Sequence, residues 1–208
     1  SITMLGIGAT IGAGVFVLTG YAIGEAGPAV ILAFALNGIL ALVVSVNYME
    51  LSTAMPKAGG SFFWVSEIIG EKTGFFTGWI GWFARISAAS LYAVGFGSFT
   101  ENFLHSMNII KIENLSIIIS ILAVLAFILI NIRGSSETGK AESIITSIKI
   151  LILIVFVGFG IVFIQGSPES ASHYEPFLPQ GMIGVFLAMG LTFVAFEGFE
   201  VITNTAEE

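Results

Sequence analysis

Four charged side chains stand in apolar surroundings, and each needs a partner or water there. Lys149 sits in Ile148-Lys149-Ile150-Leu151-Ile152, and Arg85 follows Trp82-Phe83-Ala84. Glu197 and Glu200 close the run Phe193-Val194-Ala195-Phe196-Glu197-Gly198-Phe199-Glu200. A lysine held away from bulk water can gain and lose its proton near neutral pH, which makes Lys149 a candidate proton site. Its flexible stem equally allows the ammonium to reach an aqueous boundary. Arginine stays charged, so Arg85 calls for a counter-ion. Glu197 and Glu200 are the candidates, in a structural ion pair rather than a substrate contact.

Uncharged residues supply a second kind of chemistry. Gly6-Ile7-Gly8-Ala9-Thr10-Ile11-Gly12-Ala13-Gly14 carries four glycines in nine residues. Each weakens a helix by about 1 kcal/mol relative to alanine. A helix interrupted at Ile11, Gly12, Ala13 and Gly14 would expose backbone N–H groups, and the positive end of its second half suits a carboxylate. The same glycines equally fit a smooth face for close helix packing. Gly198, between the two glutamates, predicts a second interruption, where carbonyls from Phe193, Val194, Ala195 and Phe196 could accept hydrogen bonds from an ammonium group. One interrupted helix taking a carboxylate and another taking an amine describes a site for an amino acid.

These residues need apolar elements to position them, and the composition supplies such elements. Apolar residues make up 56% of the chain, only 10% are charged, and the mean hydropathy is +0.98. Soluble domains carry about a quarter charged residues, so the chain reads as an integral membrane protein. A net charge of −7 without a basic patch disfavours nucleic acid as a partner. There are no cysteines, so disulfides and thiolate metal sites are excluded. His105 and His173 fall in predicted loops with no metal-ligand spacing around them, so no metal is expected. No nucleophile, base and orienting group are arranged together, which disfavours an enzyme, and no filter motif points to a channel.

Crossing ~30 Å of hydrocarbon takes about 20 helical residues. Apolar runs predict six spans, near 2–23, 28–51, 73–104, 115–132, 142–165 and 181–203. Pro28 opens the second span at a position where its missing N–H costs nothing, and Pro56 follows its end. The aromatic stretch from Pro56 through Glu67 is too short to cross and predicts an interfacial or re-entrant helix. Lys149 then lies ~12 Å into the fifth span and Arg85 ~20 Å into the third. The chain starts on Ser1 with an apolar pattern already running and stops just after a hydrophobic segment, which reads as a piece of a longer protein. Lys57, Lys72, Arg133 and Lys140 fall in the loops after spans two and four, against Lys111 alone on the other side. That bias places the first side, and with it the N-terminus, in the cytoplasm.

With these residues assembled, the chain resembles the amino acid–polyamine–organocation superfamily over essentially its whole length. Gly12-Ala13-Gly14-Val15-Phe16 is similar to that family's first-helix substrate motif, and Glu25-Ala26-Gly27-Pro28-Ala29 to the start of its second helix. Pro56-Lys57-Ala58-Gly59-Gly60 through Glu67 resembles its first intracellular-loop signature. Phe193 through Phe199 resembles its sixth-helix break. Met4-Leu5-Gly6-Ile7-Gly8 through Val17-Leu18-Thr19-Gly20 looks closest to the cationic amino acid transporter-like branch and its prokaryotic relatives.

The resemblance implies an all-α membrane fold, LeuT-like, of two inverted five-helix repeats with discontinuous first and sixth helices. Residues 1–166 would be the first repeat, and 167–208 an external loop and the helix that opens the second. It implies proton-coupled symport of an amino acid by alternating access, in the plasma membrane, with no cofactor beyond H⁺. The bilayer and the remaining helices of a longer transporter would be its partners. Lys149 falls where proton-coupled members carry a lysine that replaces a sodium ion. Backbone around Ile11, Gly12, Ala13 and Gly14 would bind the substrate carboxylate, and backbone from Phe193 to Phe196 its amine. Two departures bear on the substrate. Glu197 stands where the family usually has Ile or Met, and Ala84 where the cationic branch carries an acid. Glu197 suits a cationic substrate, whereas an Arg85–Glu197 pair would favour a neutral one. Alternatives are a sodium-coupled or exchange-type amino acid or polyamine carrier, and a membrane sensor that binds an amino acid without moving it.

Overall fold

The computed structural model describes residues 2–12, 14–109, 112–132, 135–166, 172, 174–198 and 200. Those residues form helices and connecting turns, with no strand among them. The predicted sites at Ala13 and His173 lie outside the described residues, as do Lys111 and Arg133.

The first predicted span is two pieces. Helix α1 (Ile2–Thr10) stops at bends on Ile11 and Gly12, and a π-helical turn (Gly14–Leu18) leads into α2 (Thr19–Ala26). A 3₁₀ turn (Gly27–Ala29) holds Pro28 near its start, where no N–H is required. It then joins α3 (Val30–Ala54), which ends just before Met55 and Pro56. Proline disfavours helical backbone in the residue preceding it, so the stop at Met55 is local chemistry. The expected short helix is α4 (Gly60–Ile68), nine residues long.

The third span is α5 (Glu71–Ser106), 36 residues that extend the predicted helix at both ends. His105, expected in a loop, is therefore in its last turn. Helices α6 (Leu115–Ile132) and α7 (Ser135–Gly166) follow, then α8 (Gly181–Thr192) and a 3₁₀ turn (Phe193–Phe196). The sixth span does not continue as one α-helix toward residue 203. It leaves α geometry at Phe193, five residues before the predicted glycine.

Among the described residues, three stretches are long and apolar enough to cross a membrane: Gly6–Ala54, which holds two predicted spans, Leu115–Ile132 and Glu142–Gly166. Most of their large apolar side chains face outward. On α7, Phe156 and Phe159 are 75% and 73% exposed. Water would not tolerate so continuous an apolar surface, whereas hydrocarbon does. The chain is a multi-pass membrane protein. Helix α5 falls below those three in hydropathy, because Arg85 and its many Gly, Ser and Trp residues dilute the apolar run.

The chain forms two compact units, residues 1–60 with 142–208, and residues 61–141. The core of the first unit is built from small side chains. Ala22 and Ala26 on α2, Ala29, Val30 and Ala33, and Val185 and Ala188 on α8 are all at most 9% exposed. Alanines let helix backbones approach closely where there is no hydrophobic drive between helices in lipid. In the second unit α5 packs on α6, with Gly97 against Ser116 and Ser120, and the Ser120 hydroxyl donates to the Ser116 carbonyl at 2.7 Å.

Candidate functional site

The break after α1 redirects its hydrogen bonds. Ile11 N–H still donates to Ile7 O at 2.9 Å, as in a helix. Gly12 N–H, which a continuing helix would send to Gly8 O, donates instead to Thr10 O at 2.9 Å. Val15 N–H goes to Gly12 O at 3.3 Å rather than to Ile11 O. The carbonyls of Gly8 and Ile11 thus lose their helical donors, and an orphaned carbonyl away from water needs a replacement.

Lys149 provides it. Its Nζ donates to Gly8 O at 2.7 Å and to Ile11 O at 2.8 Å, reaching from α7 to both freed carbonyls. The lysine is partly buried, and its stem runs to the helix break rather than to an aqueous boundary. An ammonium carries three donors, and two are used here. Of the expected carboxylate donors, the Ile11 and Gly12 N–H groups are engaged within the chain, and Gly14 opens the second half of the helix.

The second break follows α8. Phe193 N–H completes the helix at Met189 O, the backbone tightens into the 3₁₀ turn, and Glu197 is extended at φ −67°, ψ 153°. Gly198 then takes φ +108°, a conformation side-chain-bearing residues rarely adopt, and donates its N–H to Glu200 Oε2 at 2.9 Å. That contact gives the Glu200 carboxylate a local role in capping the turn. Phe196 turns its ring toward α3, 6.3 Å from that of Phe34, so it offers the site backbone rather than side chain.

The two interruptions meet. A Cβ on Gly14 would run into the backbone N and Cα of Ala195, and one on Gly198 would lie 2.6 Å from the Ala9 carbonyl carbon. Glycine is required at both contacts by close approach. Gly14 is thereby brought against Ala195 in the Phe193–Phe196 turn, and Ala9, two residues before Ile11, against Gly198 beside Glu197. Arg85 lies in the other compact unit and is exposed, whereas Glu197 and Glu200 belong to the first.

Sequence reasoning missed the supports of this arrangement. Asn37, on α3, is 1% exposed, and its Nδ2 donates to Met189 O at 2.8 Å and to Thr192 Oγ1 at 3.0 Å. The Thr192 hydroxyl donates onward to Ala188 O at 2.8 Å. This brace holds the end of α8 where α geometry stops. An asparagine inside the apolar run of α3 was the available signal, because a polar group in a span needs a partner. Thr146 and Glu142 were also missed. Both approach Gly8 from α7.

A profile of the amino acid permease family matches residues 1–208. The chain is 28% identical to the branched-chain amino acid permease BcaP of Bacillus subtilis (strain 168), covering 100% of this chain and 46% of that protein. It is 31% identical to the methylthioribose transporter of the same strain, with 100% and 46% covered. It is 30% identical to the chloroplastic cationic amino acid transporter 6 of Arabidopsis thaliana, with 98% and 37% covered. The chain therefore spans about half the length, or less, of these relatives. All three are carriers, in agreement with the expectation that the residues do not form an enzyme. Two interrupted helices joined at glycines, a lysine seated on the first break, and a family match along the whole chain lead to one assignment: this chain belongs to the amino acid permease family of the amino acid–polyamine–organocation superfamily.

Proposed function

We propose that the chain forms the substrate- and proton-binding part of a secondary active amino acid transporter that works by alternating access. The observation that carries this reading is the junction of the two helix breaks at Gly14 and Ala195. Gly14, at the head of the second half of the first helix, meets the substrate carboxylate, where the helix dipole favours an anion. Carbonyls of Phe193 to Phe196 take the amine. The names of the relatives span branched-chain and cationic amino acids. Backbone recognition of the shared carboxylate and amine suits such a range, with side-chain selectivity left to other residues. Glu197, at the mouth of the second break, is the residue here that favours a substrate carrying additional positive charge.

Lys149 is the coupling site. Its protonated form holds Gly8 O and Ile11 O together and so closes the first break around the substrate. Loss of the proton removes the charge from both contacts and frees the break to reopen. The family's inverted-repeat architecture, a cytoplasmic N-terminus and the plasma membrane complete the reading, with the helices beyond this chain closing the site.

Uptake of radiolabelled amino acids into proteoliposomes under an imposed pH gradient, with the complete transporter, tests this. Accumulation that follows the gradient in the wild type and loses that dependence in Lys149→Ala supports it. Unchanged proton dependence in Lys149→Ala overturns the coupling role. Drive by sodium or by trans-side amino acid indicates a sodium-coupled carrier or an exchanger, and saturable binding without translocation indicates a sensor.

A further inference from the structure

The face that α7 turns to α1 holds more than Lys149. Glu142, Thr146 and Lys149 are spaced by four and three residues, which aligns them along one side of a helix over about 10 Å. All three converge on Gly8. Lys149 Nζ takes its carbonyl at 2.7 Å, the Thr146 hydroxyl occupies the space a Cβ would fill, and Glu142 Oε1 lies 3.6 Å from that same Cβ position. The Thr146 side chain is fully buried, and its Oγ1 has no hydrogen-bond partner. An orphaned hydroxyl in such a place costs stability without return unless it has a partner in another state.

Glu142 is also the carboxylate whose charge acts on Lys149. Among the described residues α1 contributes no titratable side chain to this face. The next carboxylates, Glu197 and Glu200, flank Gly198, which packs on Ala9 of α1. Glu142 follows the polar sequence Ser135 to Lys140 at the start of α7 and precedes its apolar run, so it is the group of the three nearest to the polar end of the helix.

We infer that Glu142 and Thr146 form the proton exit path for Lys149, along the face of α7 packed on Gly8. This rests on Lys149 as the coupling site. In the release step an Nζ–H bond of the ammonium breaks and its proton passes to Thr146 Oγ1. The hydroxyl's own proton passes at the same time to a Glu142 carboxylate oxygen. Lysine is left neutral, glutamate becomes a neutral acid, and that acid gives its proton to water at the helix end. Once neutral, Lys149 has a lone pair that can accept the Thr146 hydroxyl proton as a hydrogen bond, which supplies the partner the hydroxyl lacks in the present state. Chains of ionisable and hydroxyl groups within membrane spans carry protons in this way.

The test compares proton-driven uptake with substrate counterflow, which needs no net proton release, for the complete transporter in proteoliposomes. Glu142→Gln and Thr146→Val should lower the ratio of the first to the second by roughly tenfold or more, at the low end of what a positioned proton acceptor contributes. Thr146→Ser, which keeps the hydroxyl, should restore the ratio. The thermal midpoint of Thr146→Val should be no lower than wild type, because the change removes an unpartnered polar atom from a buried position. A wild-type ratio in both Glu142→Gln and Thr146→Val, with Lys149→Ala losing its proton dependence, overturns the exit path and leaves the role of Lys149 standing. Proton-driven accumulation that survives in Lys149→Ala overturns both.

Discussion

Gly14 lies so close to Ala195 that the backbone of one helix break occupies the side-chain space of the other. The contact joins residues 181 positions apart, and neither has a side chain that could give way. Any side chain at Gly14 must push the 3₁₀ turn of Phe193–Phe196 out of place. Displacements of about 1 Å at a binding site can cost on the order of 10²-fold in rate. Gly14→Ala should therefore reduce amino acid uptake by roughly that factor while the protein still inserts and purifies, and Gly14→Val should abolish uptake. A Gly14→Val protein that transports at the wild-type rate would show that the two breaks do not meet in the working transporter.

Lys149 serves the fold as well as the proposed coupling. With its ammonium removed, Gly8 O and Ile11 O lose the donor that replaced their helical partners, and an orphaned buried carbonyl costs about 1–3 kcal/mol. Lys149→Met, which keeps the stem, should lower the thermal midpoint in detergent by several degrees. Lys149→Arg, retaining donors, should recover part of that loss. Equal midpoints for the wild type and Lys149→Met would mean that water or lipid headgroups satisfy both carbonyls.

Much of this site is legible in the sequence because its parts violate the rules of an ordinary apolar helix. Four glycines between Gly6 and Gly14 weaken helical backbone wherever they stand, so the first break can be placed to within a residue or two. Lys149 is conspicuous because a charge in an apolar run needs a reason. The second break is less sharply written. Gly198 is visible, but the helix yields at Phe193, where the Asn37 brace and the contact with Gly14 decide the geometry, and neither is local. Asn37 and Thr192 are 155 residues apart, and nothing in the spelling of an asparagine says which helix it will meet. Thr146 is quieter still. Threonine is common in spans, and its significance comes from lying opposite a glycine on another helix.

The Asn37 brace allows a choice between two magnitudes. Removing a buried hydrogen-bonding partner costs most when it strands the other group, but Met189 O keeps the Phe193 N–H and Thr192 Oγ1 keeps the Ala188 carbonyl. Nothing is left orphaned. Asn37→Ala should thus cost little in hydrogen bonding, near the ~0.6 kcal/mol average for interhelical bonds in membranes, plus the packing lost from the small cavity. Transport should suffer more than stability, since the brace fixes the end of α8 beside the amine-binding carbonyls. A raised KM with a small change in thermal midpoint is the expected pattern. A large drop in midpoint with unchanged KM would make Asn37 a purely structural residue.

Gly8 and Thr146 offer a direct measure of how tightly α1 sits on α7. A Cβ on Gly8 would collide with Thr146 Oγ1 but would rest 3.4 Å from Thr146 Cβ and 3.6 Å from Glu142 Oε1, both tolerable distances. The conflict in Gly8→Ala is therefore with the hydroxyl and not with the rest of the side chain. Gly8→Ala alone should destabilise the protein, because it pries α1 from α7 and lengthens the Lys149 contact to Gly8 O. Thr146→Ala alone should be nearly neutral, as it removes a hydroxyl without a partner. In the double variant the new methyl fills the space the hydroxyl vacates, so most of the Gly8→Ala penalty should disappear. Residues in contact show coupling of about 0.5–3 kcal/mol in such cycles, and this pair should fall in that range with the double variant more stable than the sum of the singles. Additive effects would mean that α1 and α7 are not in contact at this level.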